Sequence, residues 1–434
     1  MKLRQHLPKL LVAIAFLFFL VRGPLRAIHS TGYNDFAGSF TIAHVWLRGL
    51  NCYSPSVVVD QWVKDGRPAL EFVLRAAKDT SMGGSGTGLP PCIPFIAPFT
   101  LLPALVADQV WIWFTGAIVF AMLLLLFRSR NLLFLALALS LANLHTGIKG
   151  GNASTLVIAC LGFSYLWRFE RPIFAGILLG IAGCFKPHLA GAGLLFFIFE
   201  RTWGPVMVSV LTGLAATAMF ALRLEFTAIG SSWIPELLTR TVAIGYTGGP
   251  DDFSLANPAR YELVNLQVIL GSVLSDRAVI NTIAIGIVVV LVALWAYWMI
   301  RREVSPLLGF AAINVILLLP SYHRINDAGV IVFAVAAAAT MRYGWAIAVA
   351  FIPFIAPVPS AIMRFIATGR LPASLLQNKP FIVLVLCHEI WIILAVALFL
   401  LAKMQKSPGR SYREKDEAVV IDGVSSGAQS QASA

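Results

Sequence analysis

Apolar stretches separated by short polar connections run through most of the 434-residue chain. Hydrophobic runs of roughly 17–25 residues, or shorter ones where a helix dips or pairs, are typical of membrane-spanning α-helices. The pattern therefore predicts an all-α, polytopic integral membrane protein with about twelve transmembrane helices. The predicted spans are 10–22, 106–127, 131–146, 152–167, 172–186, 189–200, 204–222, 278–300, 304–320, 327–342, 344–360 and 381–403.

Basic residues mark one set of the connections between these spans. Because short cytoplasmic loops carry an excess of Lys and Arg, the connections that contain them are predicted to face the cytoplasm. The residues concerned are Arg128, Arg130, Arg168, Arg171, Arg201, Arg301, Arg302 and Arg342. The polar tail, 404–434, is predicted to be cytoplasmic and disordered. Residues 1–403 are predicted to form one transmembrane domain with long outer loops at 23–105 and 223–277.

The first outer loop has two further features. Residues 34–50 mix polar and apolar positions at helical spacing, which predicts an amphipathic helix at the outer membrane surface. Cys52 and Cys92 share this loop. In an oxidising compartment they would be able to pair, and the alternative is two free thiols.

Composition supports the membrane class. Hydrophobic residues make up 58% of the chain and charged residues 12%, about half the charged fraction of soluble domains. The formal charge of +12 lies largely in the short connections, where it sets orientation. The expected partner is therefore the lipid bilayer and not a nucleic acid. No phosphate-binding loop, serine-hydrolase elbow or zinc-protease motif occurs in the sequence.

Polar residues within the apolar stretches fall on one predicted face of the membrane, opposite the arginine-rich connections. A charged side chain inside the membrane costs free energy and usually marks a functional site. The residues are Asp35, Lys186, His188, Asn265, Gln267, His323, Arg324 and Asp327. This grouping predicts a chemical site that faces the outer compartment.

Asp35 follows Tyr33 and Asn34, directly after the first span. A carboxylate within reach of an acceptor hydroxyl is able to remove its proton as a general base. The alternative is structural, because Asn34 or Asp35 would serve equally well as a helix N-cap.

Two cationic segments are candidates for binding phosphate. Lys186 precedes a helix-breaking proline and provides a point charge, although a lysine at a helix end also snorkels to the membrane surface. Arg324 would be able to form forked hydrogen bonds with phosphate oxygens, and His323 would be able to donate a hydrogen bond or carry a proton. The alternative for this second segment is an Arg324–Asp327 salt bridge that caps the next helix.

A glycine turn is the last candidate element. Gly150 and Gly151 let the backbone approach a ligand closely, and Asn152 follows them. The alternative is a tight turn between two short helices. No metal-ligand cluster is evident from the sequence, and no cofactor is expected.

The order of these motifs resembles glycosyltransferase family 87, integral-membrane enzymes with the GT-C fold that use polyprenyl-phosphate sugars. The resemblance covers most of residues 10–345. It rests on Asp35-Phe36 and the helix to Gly49 and Tyr53, on Leu89-Pro90-Pro91 and Pro98 to Pro103, on Gly150-Gly151-Asn152, on Ala175 to Lys186-Pro187, on Asn265-Leu266-Gln267 and on Tyr322-His323. Gly151 stands where the family often has glutamine.

The resemblance implies an inverting glycosyltransferase of the cell envelope that acts at the outer face of the inner or plasma membrane. It implies transfer of mannose or arabinofuranose from polyprenyl phosphate to a lipid- or glycan-linked acceptor, with Asp35 as the base. The donor phosphate is expected to bind Lys186, His188, His323 and Arg324. The sugar and acceptor are expected to contact Tyr33, Asn34, Asn152, Asn265, Gln267 and Tyr322.

The alternative class is a secondary transporter, which would also have many spans, broken helices and buried charges. Transporter sites lie near the bilayer midplane, whereas these polar residues gather at one predicted surface.

Overall fold

The computed structural model describes residues 2–28, 34–67, 89–128, 131–227, 233–244, 249, 251–257, 259–320 and 323–408. Over these ranges the chain is helical and contains no β-strand, as the sequence predicts. The α-helices of four residues or more outside the proline-rich segment are, in chain order, α1 (Lys2–Leu20), α2 (Asp35–Leu47), α3 (Pro55–Lys64), α4 (Ala104–Leu126), α5 (Leu132–Ser140), α6 (Ala142–Lys149), α7 (Ala153–Trp167), α8 (Pro172–Phe185), α9 (Pro187–Glu200), α10 (Trp203–Thr227), α11 (Trp233–Ile244), α12 (Leu266–Leu270), α13 (Arg277–Arg301), α14 (Pro306–Ile316), α15 (Ile331–Ala338), α16 (Trp345–Ala350), α17 (Val358–Ala367) and α18 (His388–Gln405).

Five helical segments of the described chain are long and apolar enough to cross a membrane. They are the segment that contains α1 (His6–Ile28), α4, α10, α13 and α18. The bent pair α5 and α6 adds a sixth if it is counted as one span. Several other predicted spans are apolar helices of 10–17 residues, shorter than the roughly 20 residues that a bilayer requires. The chain is therefore a membrane protein, and both the count of about twelve spans and the GT-C fold stay predictions.

Three of the shorter helices, α7, α8 and α9, run back and forth next to one another. Ser164 Oγ of α7 donates to the Ala175 carbonyl of α8 at 2.8 Å. Arg168, just after α7, pairs with Glu200 at the end of α9, with Nε and Oε2 2.8 Å apart. The start of α7, the end of α8 and the start of α9 therefore meet at the other end of this group. The predicted site residues Asn152, Lys186 and His188 lie at that end, opposite the arginines.

Helix α2 differs from the predicted surface helix. It forms where expected, but most of its side chains are buried inside the protein. Phe36 stacks on Trp111, with ring centroids 4.6 Å apart, and Trp46 stacks on Phe220 and donates to its carbonyl. The burial of α2 was not expected, and it arises because aromatic residues on several of its faces pack against partners. The location of this helix at the outer membrane surface stays a prediction.

The segment that leads into α12 is joined by backbone hydrogen bonds to the turn that leads to α15. Leu263 and Arg324 form an isolated antiparallel bridge. The amide of Val264 donates to the His323 carbonyl at 2.7 Å, and the amide of Leu266 donates to the Leu319 carbonyl at 3.0 Å. These bonds fix the backbone that carries His323.

Cys52 and Cys92 are both buried and are not joined by a disulfide, so of the two alternatives the structure has the one without the disulfide. Helix α18 ends at Gln405. Residues 409–434 lie outside the described residues, and the disordered cytoplasmic tail stays a prediction, as does the division at residue 403.

Candidate active site

Asn34 is the N-cap of α2, and its side chain accepts from the Ala37 amide at 2.7 Å. The capping role is thereby filled by Asn34. The neighbouring Asp35 is exposed, and its backbone amide donates to the Gly150 carbonyl at 2.8 Å. The Asp35 carboxylate is thus held at the surface by its backbone while its oxygens remain available to other groups.

The glycine turn packs directly against this end of α2. Gly151 has a φ of +61°, a left-handed conformation that favours glycine. A Cβ at this position would lie 3.2 Å from atoms of Asn34 and of Phe36. The indole of Trp111 donates to the Gly151 carbonyl at 3.0 Å. The turn therefore has a structural reason for its glycine, where the family often has glutamine.

Asn152 connects this turn to Asp35. Its side-chain Oδ1 caps α7 by accepting from the Ser154 amide at 2.9 Å. Its Nδ2 donates to Asp35 Oδ2 at 2.6 Å. One amide group thus caps a helix and orients the candidate base.

Contacts continue from Asn152 to the candidate phosphate-binding residues. Ser154 Oγ lies 2.5 Å from Asn152 Oδ1 and 2.5 Å from Asp327 Oδ1. Because a hydroxyl has one proton, it donates to one of these oxygens at a time. Lys186 Nζ donates to the same Asp327 oxygen at 2.7 Å. A chain of short contacts therefore joins Asp35 to Lys186.

Asp327 is the centre of the cluster. His188 Nε2 and His323 Nδ1 each lie 3.6 Å from its Oδ2, and the two imidazole rings meet edge to face. The Arg324 amide lies 3.3 Å from Oδ2. The sequence offered an Arg324–Asp327 salt bridge as one alternative, whereas the carboxylate pairs with the Lys186 ammonium. Burial lowers the pKa of His323, although the negative charge of the facing Asp327 opposes this shift.

Asp251 is a residue of the site that sequence reasoning missed. Burial raises its pKa to about 7, against the opposing charges of Arg324 and Lys186, while Asp327 adds to the increase. The sequence around Asp251 was interpreted as a loop. The pair of aspartates after Gly-Gly-Pro was the feature that could have indicated a site residue. The next residue, Asp252, is fully buried and accepts from the Ser254 amide and hydroxyl, which fixes the backbone next to Asp251.

The remaining predicted residues fall into two groups. Asn265 caps α12 by accepting from the Val268 amide, and Gln267 is fully buried with no hydrogen bond from its side chain in the described part of the protein. Both belong to the segment that is joined to the His323 loop. Tyr33 and Tyr322 lie outside the described residues, and their contact with sugar or acceptor stays a prediction.

Next to Lys186 the structure has an apolar groove between α8, α9 and α10. The groove encloses about 260 Å³. Small and apolar residues dominate its walls, which are formed by Pro91, Leu179, Gly180, Gly183, Cys184, Pro187, Ala190, Gly191, Leu194, Ser209, Val210, Gly213 and Thr217. The Ser209 hydroxyl donates to the Val206 carbonyl of its own helix. The groove is suited to a hydrocarbon chain.

A second buried ion pair supports the Asp35 end of the site. Arg67 donates from both terminal nitrogens to Asp108, at 2.8 Å each. Asn34 also hydrogen-bonds to the Asp108 carboxylate. This pair was not predicted, because 41 residues separate its members.

Residues 90–321 match the family model described as glycosyltransferase family 87. The matched range contains Asn152, Lys186 and His188, whereas Asp35 and His323 lie outside it. No curated protein and no solved structure shows significant similarity to the chain.

Proposed function

Because the chain belongs to glycosyltransferase family 87, we propose that it transfers mannose or arabinofuranose from a polyprenyl phosphate to a lipid- or glycan-linked acceptor. The observation that carries this proposal is the chain of contacts from the exposed Asp35 carboxylate to the Lys186 ammonium. A base and a phosphate-binding cation are the two groups that the reaction requires.

In the proposed reaction, Asp35 takes the proton of an acceptor hydroxyl. The hydroxyl oxygen attacks the anomeric carbon of the donor sugar and forms the new glycosidic bond. The bond between that carbon and the phosphate oxygen breaks, and polyprenyl phosphate leaves with the electron pair. Attack from the face opposite the phosphate inverts the anomeric configuration. The hydrogen bond from Asn152 holds the carboxylate in one orientation, which favours proton transfer by positioning.

The leaving phosphate gains negative charge as the bond breaks. Lys186 and Arg324 provide fixed positive charge nearby, and His188 and His323 provide donors when protonated. Groups aimed at developing charge are usually the largest contributors to catalysis. Lys186 now pairs with Asp327, so we propose that the donor phosphate competes with Asp327 for the ammonium or shares it.

The apolar groove is the proposed location of the donor's isoprenoid tail. Pro187 belongs to its wall and directly follows Lys186, so a phosphate at Lys186 would leave the tail at the groove mouth. The neighbouring helix α10 is one of those long enough to span a bilayer. A lipid-linked donor would therefore have its phosphate at the end of the helices and its tail among them.

The proposed location is the inner or plasma membrane, with the site facing the periplasm or exterior. The support is the separation of the site residues from Arg168 and Arg201, which lie at the opposite ends of α7 and α9. Arginine-rich connections face the cytoplasm by the positive-inside rule. The alternative of a secondary transporter is disfavoured by the family, whose members are transferases.

The deciding experiment uses the purified full-length protein in nanodiscs with radiolabelled polyprenyl-phosphate mannose and polyprenyl-phosphate arabinofuranose. Membrane glycolipid extract supplies the acceptors. We expect transfer of one label to a lipid or glycan fraction, with equal release of polyprenyl phosphate, and loss of transfer in Asp35→Asn. Uptake of label into sealed vesicles without release of polyprenyl phosphate would instead establish a transporter.

A further inference from the structure

Three side chains at the site present ligand atoms to a common point. His188 Nε2, His323 Nδ1 and Asp327 Oδ2 lie within 4.8 Å of one another. The sequence separates His188 from the other two, so no metal-binding spacing was visible in it. The loop pairing at Val264 and the start of α9 bring the three together.

The separations of the two imidazole nitrogens from Asp327 Oδ2 are compatible with ligand atoms that share an ion. Each imidazole nitrogen lies 3.6 Å from Asp327 Oδ2, which exceeds the length of a normal hydrogen bond. Zinc binds nitrogen and oxygen at about 2.0–2.2 Å, so two ligands of one tetrahedral ion lie about 3.3–3.6 Å apart. The two distances to Asp327 Oδ2 agree with this geometry, and the two imidazole nitrogens lie within 4.8 Å of each other.

Burial adds a second, independent observation. His323 is 1% exposed, and its Nδ1 has no hydrogen-bond partner in the described part of the protein. A buried polar atom that lacks a hydrogen-bond partner requires an explanation, and the ability to bind an ion is one of those recognised. Nδ1 faces the carboxylate oxygen that also faces His188.

The two oxygens of Asp327 are used differently. Lys186 and Ser154 contact Oδ1, whereas both histidines face Oδ2. Hydrogen bonds to the second oxygen of a ligating carboxylate orient it and are typical of metal sites. Lys186 and Ser154 would therefore be outer-shell partners.

A bound ion would change the net charge that the site presents to a phosphate. Asp327 cancels the charge of Lys186, so their pair presents little net positive charge to a phosphate. A divalent ion at Oδ2 would restore a net positive charge. Three protein ligands leave at least one coordination position open, as in catalytic zinc sites.

We propose that His188 Nε2, His323 Nδ1 and Asp327 Oδ2 bind one divalent transition-metal ion of the zinc class, with an open position for a phosphate oxygen. Only the role of the open position rests on the proposed function, because binding of the metal requires neither donor nor acceptor.

The test titrates Co²⁺ alone into chelator-treated, full-length protein in detergent and records the visible absorption of low-coordinate cobalt. We expect one bound ion per chain. His188→Ala should weaken Co²⁺ binding by more than the roughly 10–100-fold that loss of an outer-shell partner costs. His388→Ala, which changes a half-buried histidine outside the cluster, should bind as the wild type does. Thermal unfolding shows that each variant is folded.

Inorganic phosphate is then added to the cobalt-loaded protein and should change the absorption spectrum. Failure of the wild type to bind Co²⁺, or equal binding by His188→Ala and wild type, would overturn the proposed metal site. If transfer activity is absent but Co²⁺ binds as expected, the proposed function fails while the metal site stands. If transfer survives exhaustive chelation, the ion has no part in the reaction and the role of its open position is rejected.

Discussion

Asn152 donates its side-chain amide to the carboxylate of Asp35 at 2.6 Å, across 117 residues of sequence. The same side chain caps α7. The orientation of the candidate base therefore depends on where α7 begins. This bond also occupies one oxygen of Asp35, which leaves the other oxygen to accept a proton.

Asp35→Asn keeps the size of the side chain but removes its ability to accept a proton. We expect turnover to fall by at least about a hundredfold, the usual scale of general-base loss, while donor binding is retained. Asp60→Asn is the matched control, because Asp60 is an exposed carboxylate that pairs with Lys64 in the same helix. Radiolabel transfer at saturating donor measures both variants, and near-normal transfer by Asp35→Asn would reject the base.

Lys186→Met should lower both the stability of the protein and its affinity for the donor. Removal of one member of a buried ion pair costs about 3–5 kcal/mol, because the partner charge is left uncompensated. The double variant Lys186→Met/Asp327→Asn removes both charges and should recover much of that stability. Its affinity for a polyprenyl-phosphate product should remain low if Lys186 binds the phosphate. Thermal unfolding and product binding separate the two effects, and wild-type affinity in the double variant would make Lys186 purely structural.

Gly213→Leu should fill the apolar groove without a steric clash, because a Cβ at Gly213 meets nothing within 4 Å. Each CH₂ group excluded from burial costs about 0.8 kcal/mol, so a loss of two or three weakens binding of a long-tailed donor by about tenfold or more. A short-tailed donor should be unaffected. Gly286→Leu, on α13 and equally free of neighbours, is the control. Equal Michaelis constants in the two variants with a long-tailed donor would exclude the groove as the tail site.

Gly151→Ala should destabilise the protein and disturb α2. A non-glycine residue in the left-handed region costs about 1–2 kcal/mol, and here the added methyl also meets Asn34 and Phe36. Gly66→Ala has a similar φ of +70° but open space around it, so it reports the backbone cost alone. Denaturation midpoints should show a larger loss for Gly151→Ala. Equal losses would mean that the turn adjusts without disturbing the neighbouring cap.

Asp251 should make stability depend on pH. Burial raises its pKa from 3.8 to about 7, so the folded protein holds a proton that the unfolded chain releases. Stability therefore falls as pH rises from about 4 to about 7 and changes no further above that window. Asp251→Asn removes this slope, and Lys186, Arg324 and Asp327 remain in place around it. Unfolding temperatures of both proteins between pH 4 and 8 test the expected convergence at low pH.

The sequence identified several isolated polar residues but not their partners. Lys186 and Asp327 stood out because charges are rare in apolar stretches, and the same rarity drew attention to Asp35. Their contacts depend on how distant helices end, which no local pattern encodes. Arg324 was therefore offered as the partner of Asp327, three residues away, whereas the ion pair is made by Lys186 from another helix.

For the secondary structure too, local patterns predicted the helices but not their contacts. Helix α2 was predicted from spacing, but its burial was not, because the partner surfaces come from Trp111 and Phe220. The predicted number of spans depended on hydropathy. Several of the apolar segments form helices that are shorter than a membrane-spanning helix.

The ion pair between Arg168 and Glu200 ties α7 to α9 at the end farthest from the site. It defines a pivot for any tilt of α9, whose other end is restrained by the ion pair between Lys186 and Asp327. The 14 residues of α9 extend about 21 Å, so a tilt of about 6° around that pivot would move the opposite tip by about 2 Å. Small changes at the arginine end would thus be magnified into the distance between His188 and Asp327.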